Sequence, residues 1–296
     1  MDFRLKGPKG QATLRKVPPE RPLEEFLQEI SDASGVPVPC LSLRVGFPPQ
    51  PLQLPEESAR GAATLAALGL KTGESIVVQH VEPVAAQGTV LKRIIAADNS
   101  CLFNAFGYVQ EKLRDKANAG HRAPSYRQLV AQRIKEDPER FSEAFLAKPN
   151  EEYCSWILKD QSWGGAIELS ILAEHFQCEI AAYDICTKRR DLHGEGQGYR
   201  TRCMLIYDGI HYDALALAKD PQAPEAEDVT VFPAGGVAEV VDLKARALVE
   251  EQHQQRQFTD TGSFSLRCID CQKGLKGEKE AEAHAQATGH TRFAEF

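Results

Sequence analysis

Asp98-Asn99-Ser100-Cys101-Leu102-Phe103 sets a cysteine at a loop-to-helix junction, and Tyr207-Asp208-Gly209-Ile210-His211-Tyr212-Asp213 sets a histidine just past a tight Asp-Gly turn. Downstream of Cys101 the apolar residues Leu102, Phe106, Val109 and Leu113 recur at helical spacing, so the cysteine falls in or just before the first turn. There the unpaired backbone N–H groups and the positive end of the helix dipole favour a thiolate. Cys203 to Tyr207 reads as a strand, Asp208-Gly209 as a hairpin turn and His211 as the opening of the returning strand. His211 and Asp213 then point to one face, and an acid two residues after a base can brace it. A thiol, a base and a third group that fixes the base's tautomer are the parts of a cysteine hydrolase. The loop from Asp98 to Ser100 can aim N–H groups at a developing oxyanion, and Asn99 adds a side-chain amide.

These two segments resemble the hallmarks of the ovarian tumour (OTU) family of cysteine deubiquitinases, an Asp-Gly-Asn-Cys-Leu-Phe-like loop and a late His-x-Asp or His-x-Asn. Here Asn99-Ser100 replaces the Gly-Asn pair, which matches the branch carrying a ubiquitin-like domain in front and a zinc finger behind. Trp163-Gly164-Gly165-Ala166-Ile167-Glu168-Leu169 is the third family marker, and the resemblance covers roughly residues 90 to 218. It implies an α+β chain: a papain-like OTU cysteine protease domain with an N-terminal ubiquitin-like β-grasp domain and a small C-terminal zinc finger. The glycines 164 and 165 admit the close backbone approach a bound Gly-Gly tail needs, while packing is the alternative role for them and for Trp163. Asn99, Ser100, Trp163, Gly164, Gly165 and Ile210 are the expected substrate contacts, and Cys101, His211, Asp98 and Asp213 the catalytic set. Asp213 is expected to orient His211, and Asp98 to shape the cysteine loop and oxyanion site.

At 296 residues the chain is long enough for about two domains, and its 42% hydrophobic and 26% charged content is ordinary for a globular protein. A net charge of -7 offers no attraction for a polyphosphate backbone or an acidic membrane surface, so nucleic acid is not an expected partner. Met1-Asp2-Phe3-Arg4-Leu5-Lys6-Gly7 lacks the apolar core of a signal peptide, and no apolar run approaches membrane-spanning length. A cytosolic or nuclear chain with no membrane insertion, and a monomer, are expected. Of the 8 cysteines, six stand singly and only Cys268 and Cys271 are close, which is not a secreted disulfide framework.

Residues 1–82 read as a separate unit. Phe3 to Leu5 and Gln11 to Leu14 are strands; Leu23, Phe26, Leu27 and Ile30 repeat at helical spacing after Pro22, with Gly35 placed to end the helix. Leu41, Leu43 and Val45 alternate as a half-buried strand, Phe47-Pro48-Pro49 is a turn, and Ser75 to Gln79 is a final strand. The order resembles the ubiquitin-like fold of UBX domains, which insert a Phe-Pro loop, often with a cis proline, into a cleft on the hexameric AAA ATPase valosin-containing protein. Gly46-Phe47-Pro48-Pro49 is the matching loop, with Arg4 or Arg15 as the assisting arginine; a plain structural module with a proline turn is the alternative.

A short linker around Glu82 to Gly88 precedes the catalytic domain at residues 90–218. Ser125 through Ile134, stopping at Asp137-Pro138, and a stretch through Phe141 and Phe145 read as helices of a helical lobe. Glu179 to Ile185 reads as a strand, and Thr187 to Glu195 as an exposed loop, which by resemblance is the family's variable loop touching ubiquitin. Residues 219–262 read as an extended connector from Lys219 to Thr230 and then a helix through Val241 and Leu248 to Gln257. Resemblance places Glu239 to Lys244 where a second ubiquitin is held.

Residues 264–296 carry Cys268-x-x-Cys271, then His284 and His290, the two-cysteine two-histidine pattern of a tetrahedral zinc site. Lys276 to His290, with Glu280 and Glu282, reads as the helix presenting both histidines. Four such ligands leave no open coordination position, so one structural Zn2+ is expected, and a protein contact rather than DNA. The resemblance thus implies a thiol-dependent deubiquitinase that edits polyubiquitin beside the valosin-containing ATPase in endoplasmic-reticulum-associated degradation. The alternative is a noncatalytic polyubiquitin-binding adaptor of that ATPase.

Overall fold

The computed structural model describes every residue except 56, 61, 112–115, 261–264, 277–279, 281–282, 285–286, 291–292 and 296. Leu113, Glu282 and the expected boundaries at residues 262 and 264 lie outside the described residues. The chain forms two compact units. One comprises Met1–Val90, Arg200–Arg202 and Leu217–Lys244; the other comprises Leu91–Tyr199, Cys203–Ala216 and Ala245–Phe296.

In the first unit, strands β1 (Phe3–Gly7), β2 (Gly10–Leu14), β3 (Leu41–Val45), β4 (Gln50–Pro51) and β5 (Ser75–His80) form a sheet in the order β2-β1-β5-β3-β4. The β1–β2, β3–β5 and β3–β4 pairings are antiparallel, and β1 runs parallel to β5, which a helical crossover must connect. Helix α1 (Leu23–Ser34) is part of that crossover. Phe3 and Leu5 alternate inward from β1, and Leu23, Phe26, Leu27 and Ile30 form the buried stripe of α1. The Phe3 and Phe26 rings meet at 5.5 Å, a pair that contributes about 1 kcal/mol beyond its buried area. Gly35 closes α1 at φ +70°, where its N–H donates to the Ser31 carbonyl. This is a ubiquitin-like β-grasp; the short α2 (Glu57–Arg60) follows β4. The Phe47–Pro48 peptide is cis, and Phe47 is fully exposed at 101%.

Two stretches expected to be loose are instead fixed. Lys244 Nζ donates to the carbonyls of Ala86 and Gly88, both at 2.8 Å, and pairs with Glu82 at 2.6 Å, so the Glu82 to Gly88 linker is clamped. The Lys219 to Thr230 connector is extended only in part. Leu217 and Val229 exchange both backbone hydrogen bonds, and Asp228 and Thr230 are buried. Proline and acidic residues read as solvent-exposed, but here the backbone pairs instead.

A six-stranded sheet runs in the order β6-β10-β9-β7-β8, with β11 beside β9. Its strands are β6 (Thr89–Arg93), β7 (Cys178–Asp184), β8 (Arg190–His193), β9 (Thr201–Tyr207), β10 (Tyr212–Ala218) and β11 (Val231–Pro233). The apolar runs of β7, β9 and β10 are buried almost throughout, as strands covered on both faces must be. The helical lobe consists of α3 (Cys101–Glu111), α4 (Lys116–Glu136), α5 (Glu143–Leu146), α6 (Asn150–Ile157) and α7 (Ala166–Phe176). Phe106 of α3 meets Tyr126 of α4 at 5.4 Å and Phe176 of α7 at 5.2 Å, which locks the three helices together.

Three expectations shift here. The Phe141–Phe145 helix shrinks to α5, because Ser142 takes an extended conformation that separates Phe141 from it. The Thr187 to Glu195 loop contains β8, an edge strand pairing Arg190 through His193 with β7. His211 ends the turn, and the returning strand opens at Tyr212.

Helix α8 (Gly236–Gln254) leads toward a small sheet of β12 (Ser265–Cys268), β13 (Gly274–Lys276) and β14 (Phe293–Glu295) in the order β13-β12-β14. The described residues 280, 283–284 and 287–288 are helical. Among the described residues no helix is long and apolar enough to cross a membrane.

Candidate active site and metal centre

Cys101 opens α3, and the loop before it folds on Asp98. The Asp98 Oδ1 atom accepts the Ser100 N–H at 2.8 Å, its carbonyl accepts the Cys101 N–H at 3.3 Å, and Asn104 Nδ2 reaches both carboxylate oxygens at 3.2 and 3.1 Å. Ser100 N–H is therefore turned onto the carboxylate. Trp163, 56% exposed, donates its Nε1–H to Asn99 Oδ1 at 2.8 Å, which leaves Asn99 Nδ2 as the side chain's donor. A Cβ on Gly164 would come within 3.3 to 3.4 Å of Phe103, Leu102 and Glu168, so that glycine packs against the cysteine helix. Gly165 N–H donates to the buried Glu168 Oε2 at 2.6 Å, and Tyr153 donates to Glu168 Oε1 at 2.7 Å. Burial pushes the Glu168 carboxyl up, against the pull of those donors.

The histidine is placed by its turn. Asp208 Oδ1 accepts the N–H groups of Ile210 at 3.0 Å and His211 at 2.8 Å, which leaves the Ile210 side chain half-exposed beside the base. His211 Nε2 lies 3.2 Å from Asp213 Oδ1. That oxygen also accepts the Ile95 N–H at 2.8 Å, and Lys92 Nζ is 3.6 Å from Oδ2. Asp213 is buried, so its orientation is set on three sides.

The two halves meet at the sulfur. The backbone N–H groups of Tyr212 and Leu102 lie near enough to the Cys101 thiol to favour its ionised form, and Asp98 and Asp213 bear on it electrostatically. Burial raises the thiol's pKa, and the two N–H groups oppose that rise without cancelling it. The helix N-terminus thus acts in the expected direction but is outweighed by desolvation.

At the carboxyl end, Cys268, Cys271, His284 and His290 bring one donor atom each to within 4.8 Å of one another. Cys268 Sγ lies 3.6 Å from His290 Nδ1, and Cys271 Sγ 3.4 Å from His284 Nε2. Bonds of about 2.3 Å to sulfur and about 2.0 Å to nitrogen at a tetrahedral angle put unlike ligands about 3.5 Å apart, so the donor set fits zinc.

Family models match the chain at three places: the OTU1 UBXL domain over residues 1–52, an OTU-like cysteine protease over residues 96–212, and the C-terminal C2H2-type zinc finger of ubiquitin thioesterase OTU1 over residues 262–296. Ubiquitin thioesterase OTU1 of Danio rerio is 40% identical over 309 residues, covering 99% of both chains. This chain belongs to the ubiquitin thioesterase OTU1 family. The ovarian tumor domain-containing deubiquitinating enzyme 2 of Arabidopsis thaliana is 50% identical over 212 residues, 71% of this chain and 99% of that protein. A solved structure of an OTU domain in complex with ubiquitin is 26% identical with a TM-score of 0.50, covering 60% of this chain and 99% of that one.

One residue of this OTU1-family site has no signal in the sequence. Arg127, on α4, is 1% exposed. Its guanidinium donates to the carbonyls of Asn99 at 3.0 Å and Ile157 at 2.9 Å and to Ser100 Oγ at 3.1 Å, and lies over the Phe103 ring at 4.6 Å. It ties the cysteine loop to the helical lobe. A single arginine at an otherwise ordinary helix position reads as solvated; only the tertiary placement of those carbonyls buries it.

Proposed function

We propose that Cys101 is the nucleophile of a thiol-dependent deubiquitinase, with His211 as its base and Asp213 as the group that orients His211. The chain is a cysteine-type ubiquitin thioesterase by family, and the observation that carries the assignment is the nearness of the Tyr212 backbone, one residue past His211, to the Cys101 thiol. That sets the thiol beside the start of β10, which follows His211 directly and bears Asp213. With Nε2–H directed to Asp213, the Nδ1 atom of His211 is left basic and takes the thiol proton. The sulfur attacks the carbonyl of ubiquitin's C-terminal glycine, and the oxyanion forms beside the Asp98–Ser100 loop. His211 returns the proton to the departing lysine amine as the C–N bond breaks. Water, deprotonated by the same histidine, then cleaves the thioester and restores the thiol. Trp163, Gly164, Gly165 and Ile210 flank this point and are read as contacts for the ubiquitin tail, with Asn99 and Ser100 in the loop itself.

Two further roles belong to the same reading. The exposed Phe47 loop of the β-grasp domain suits docking on the valosin-containing AAA ATPase, which would place the enzyme in endoplasmic-reticulum-associated degradation. One zinc ion, held by Cys268, Cys271, His284 and His290, orders the terminal finger; the closed donor set leaves no position for an activated water. Cleavage of diubiquitin across all linkage types tests the hydrolase. Turnover should appear for at least one linkage and vanish in Cys101→Ala, and retention in that variant would remove the assignment.

A further inference from the structure

Asp208 engages its N–H, its carbonyl and its carboxylate in placing one turn. Its N–H donates to the His211 carbonyl at 3.1 Å, and Oδ1 accepts the Ile210 and His211 N–H groups. Those bonds are internal and fix the turn's shape. The Asp208 carbonyl is different: it accepts the N–H of Thr259, at 2.6 Å, from the segment that follows α8.

Gly209 makes the approach possible. It sits at φ +105°, and a Cβ there would lie 2.0 Å from the Thr259 carbonyl oxygen and 3.0 Å from its carbon. In the sequence this glycine is sufficiently explained by the tight turn. The structure adds a second demand, a backbone crossing at van der Waals distance.

The crossing segment is itself anchored. Past the end of α8, Arg256 takes φ +55° and Gln257 N–H donates to the Gln252 carbonyl at 3.0 Å. Phe258 stacks on the His253 ring at 5.1 Å and 7°, and His253 Nδ1 is 2.8 Å from the Ile185 carbonyl at the end of β7. Glu250 pairs with Lys188 at 3.1 Å. Ile185 N–H in turn donates to Tyr207, the residue that enters the turn.

We propose that residues 257–260 form a strap across the Asp208–His211 turn, and that Thr259, through its backbone N–H, is a positioning residue for His211. The inference rests on the hydrolase reading above. Proton transfer from the thiol demands a base placed to a fraction of an ångström, and a displacement of about 1 Å can cost on the order of a hundredfold in rate. The strap supplies that placement from outside the catalytic strands. Its own contacts fall on Asp208 and Gly209 and stop short of Ile210, the one residue of the turn read as a ubiquitin contact, so its loss is expected to fall on turnover more than on substrate affinity.

The test uses the full chain and steady-state cleavage of diubiquitin. Thr259→Pro deletes the N–H, and the expected result is a kcat lowered roughly tenfold with KM within about twofold. Thr259→Ala keeps the N–H and should restore the wild-type kcat. Gly209→Ala attacks the crossing from the other side, leaves the strap's sequence intact and should reproduce the kcat loss; it carries the test should Thr259→Pro melt far below the wild type. Wild-type kcat in either of these two variants, or an equal loss in Thr259→Ala, overturns the strap. A wild-type chain inactive on every diubiquitin would overturn the hydrolase reading, and the proposal with it.

Discussion

Asp213 Oδ1 lies 3.2 Å from His211 Nε2 and accepts the Ile95 N–H at 2.8 Å, so one carboxylate oxygen holds both the base and a neighbouring backbone segment. Removing the carboxylate frees the ring and strands a buried donor. Asp213→Ala should lower kcat by roughly ten- to hundredfold, less than Cys101→Ala, and destabilise the chain by about 1–3 kcal/mol. Asp213→Asn keeps an acceptor and should be milder. Kinetics and urea melts of both variants check this. A far greater loss in a well-folded Asp98→Ala would reverse the roles given to the two aspartates.

Arg127 joins the cysteine loop, at the Asn99 carbonyl and Ser100 Oγ, to the Ile157 carbonyl at the end of α6. Arg127→Met leaves the Asn99 and Ile157 carbonyls without that partner, and a loss of about 3 kcal/mol is expected in urea unfolding, with reduced kcat. Arg127→Lys should rescue little, since one ammonium cannot span acceptors that a planar guanidinium bridges. Wild-type stability in Arg127→Met would show that the loop is held by other means.

Burial raises the Cys101 pKa against the pull of two backbone amides, and a resting thiol, not a thiolate, is therefore the expected form at neutral pH. The sign for reactivity follows: alkylation by iodoacetamide should accelerate as pH climbs through and beyond the ordinary thiol value of about 8.5. The sign for stability is opposite. A folded state that keeps its proton longer than the unfolded chain loses that contribution as pH rises from the unfolded thiol pKa toward the folded one. An alkylation rate already flat from about pH 6 upward would contradict the desolvated thiol.

The finger should carry one zinc, and its removal should be local. Chelation or Cys268→Ser is expected to unfold residues from 265 onward while labelling of Cys101 by a ubiquitin warhead persists, because the metal's binding energy orders a segment too small to bury its own core. The Thr259 crossing lies upstream of the finger in the sequence and is expected to persist without zinc. Metal analysis without zinc, or labelling lost in step with zinc, would contradict this division.

Short-range signals carried most of the fold. The 3.6 spacing of Leu23, Phe26, Leu27 and Ile30 and the alternation of Phe3 with Leu5 need only neighbouring residues to be read, and the β-grasp follows from them. The cysteine helix and the Asp208-Gly209 turn are local in the same way. Contacts distant in sequence stayed hidden. Lys244 clamps carbonyls 156 and 158 positions away, and this turned an apparently free linker into a fixed one. Arg127 and Thr259 have no local signal for the same reason: the carbonyls they meet, at Asn99 and Ile157 and at Asp208, are distant in sequence and carry no side-chain signature. In the sequence β8 reads as a loop because its charged, edge-exposed residues lack the apolar alternation that marks a half-buried strand.

The most direct test of the central claim is peptide mapping, by mass spectrometry, of the wild-type chain after reaction with ubiquitin bearing a cysteine-reactive group at its C-terminus. The chain offers 8 cysteines. One adduct is expected, on Cys101, and it should disappear in Cys101→Ala; an adduct on any other cysteine, or a wild-type chain that never reacts, would contradict Cys101 as the nucleophile.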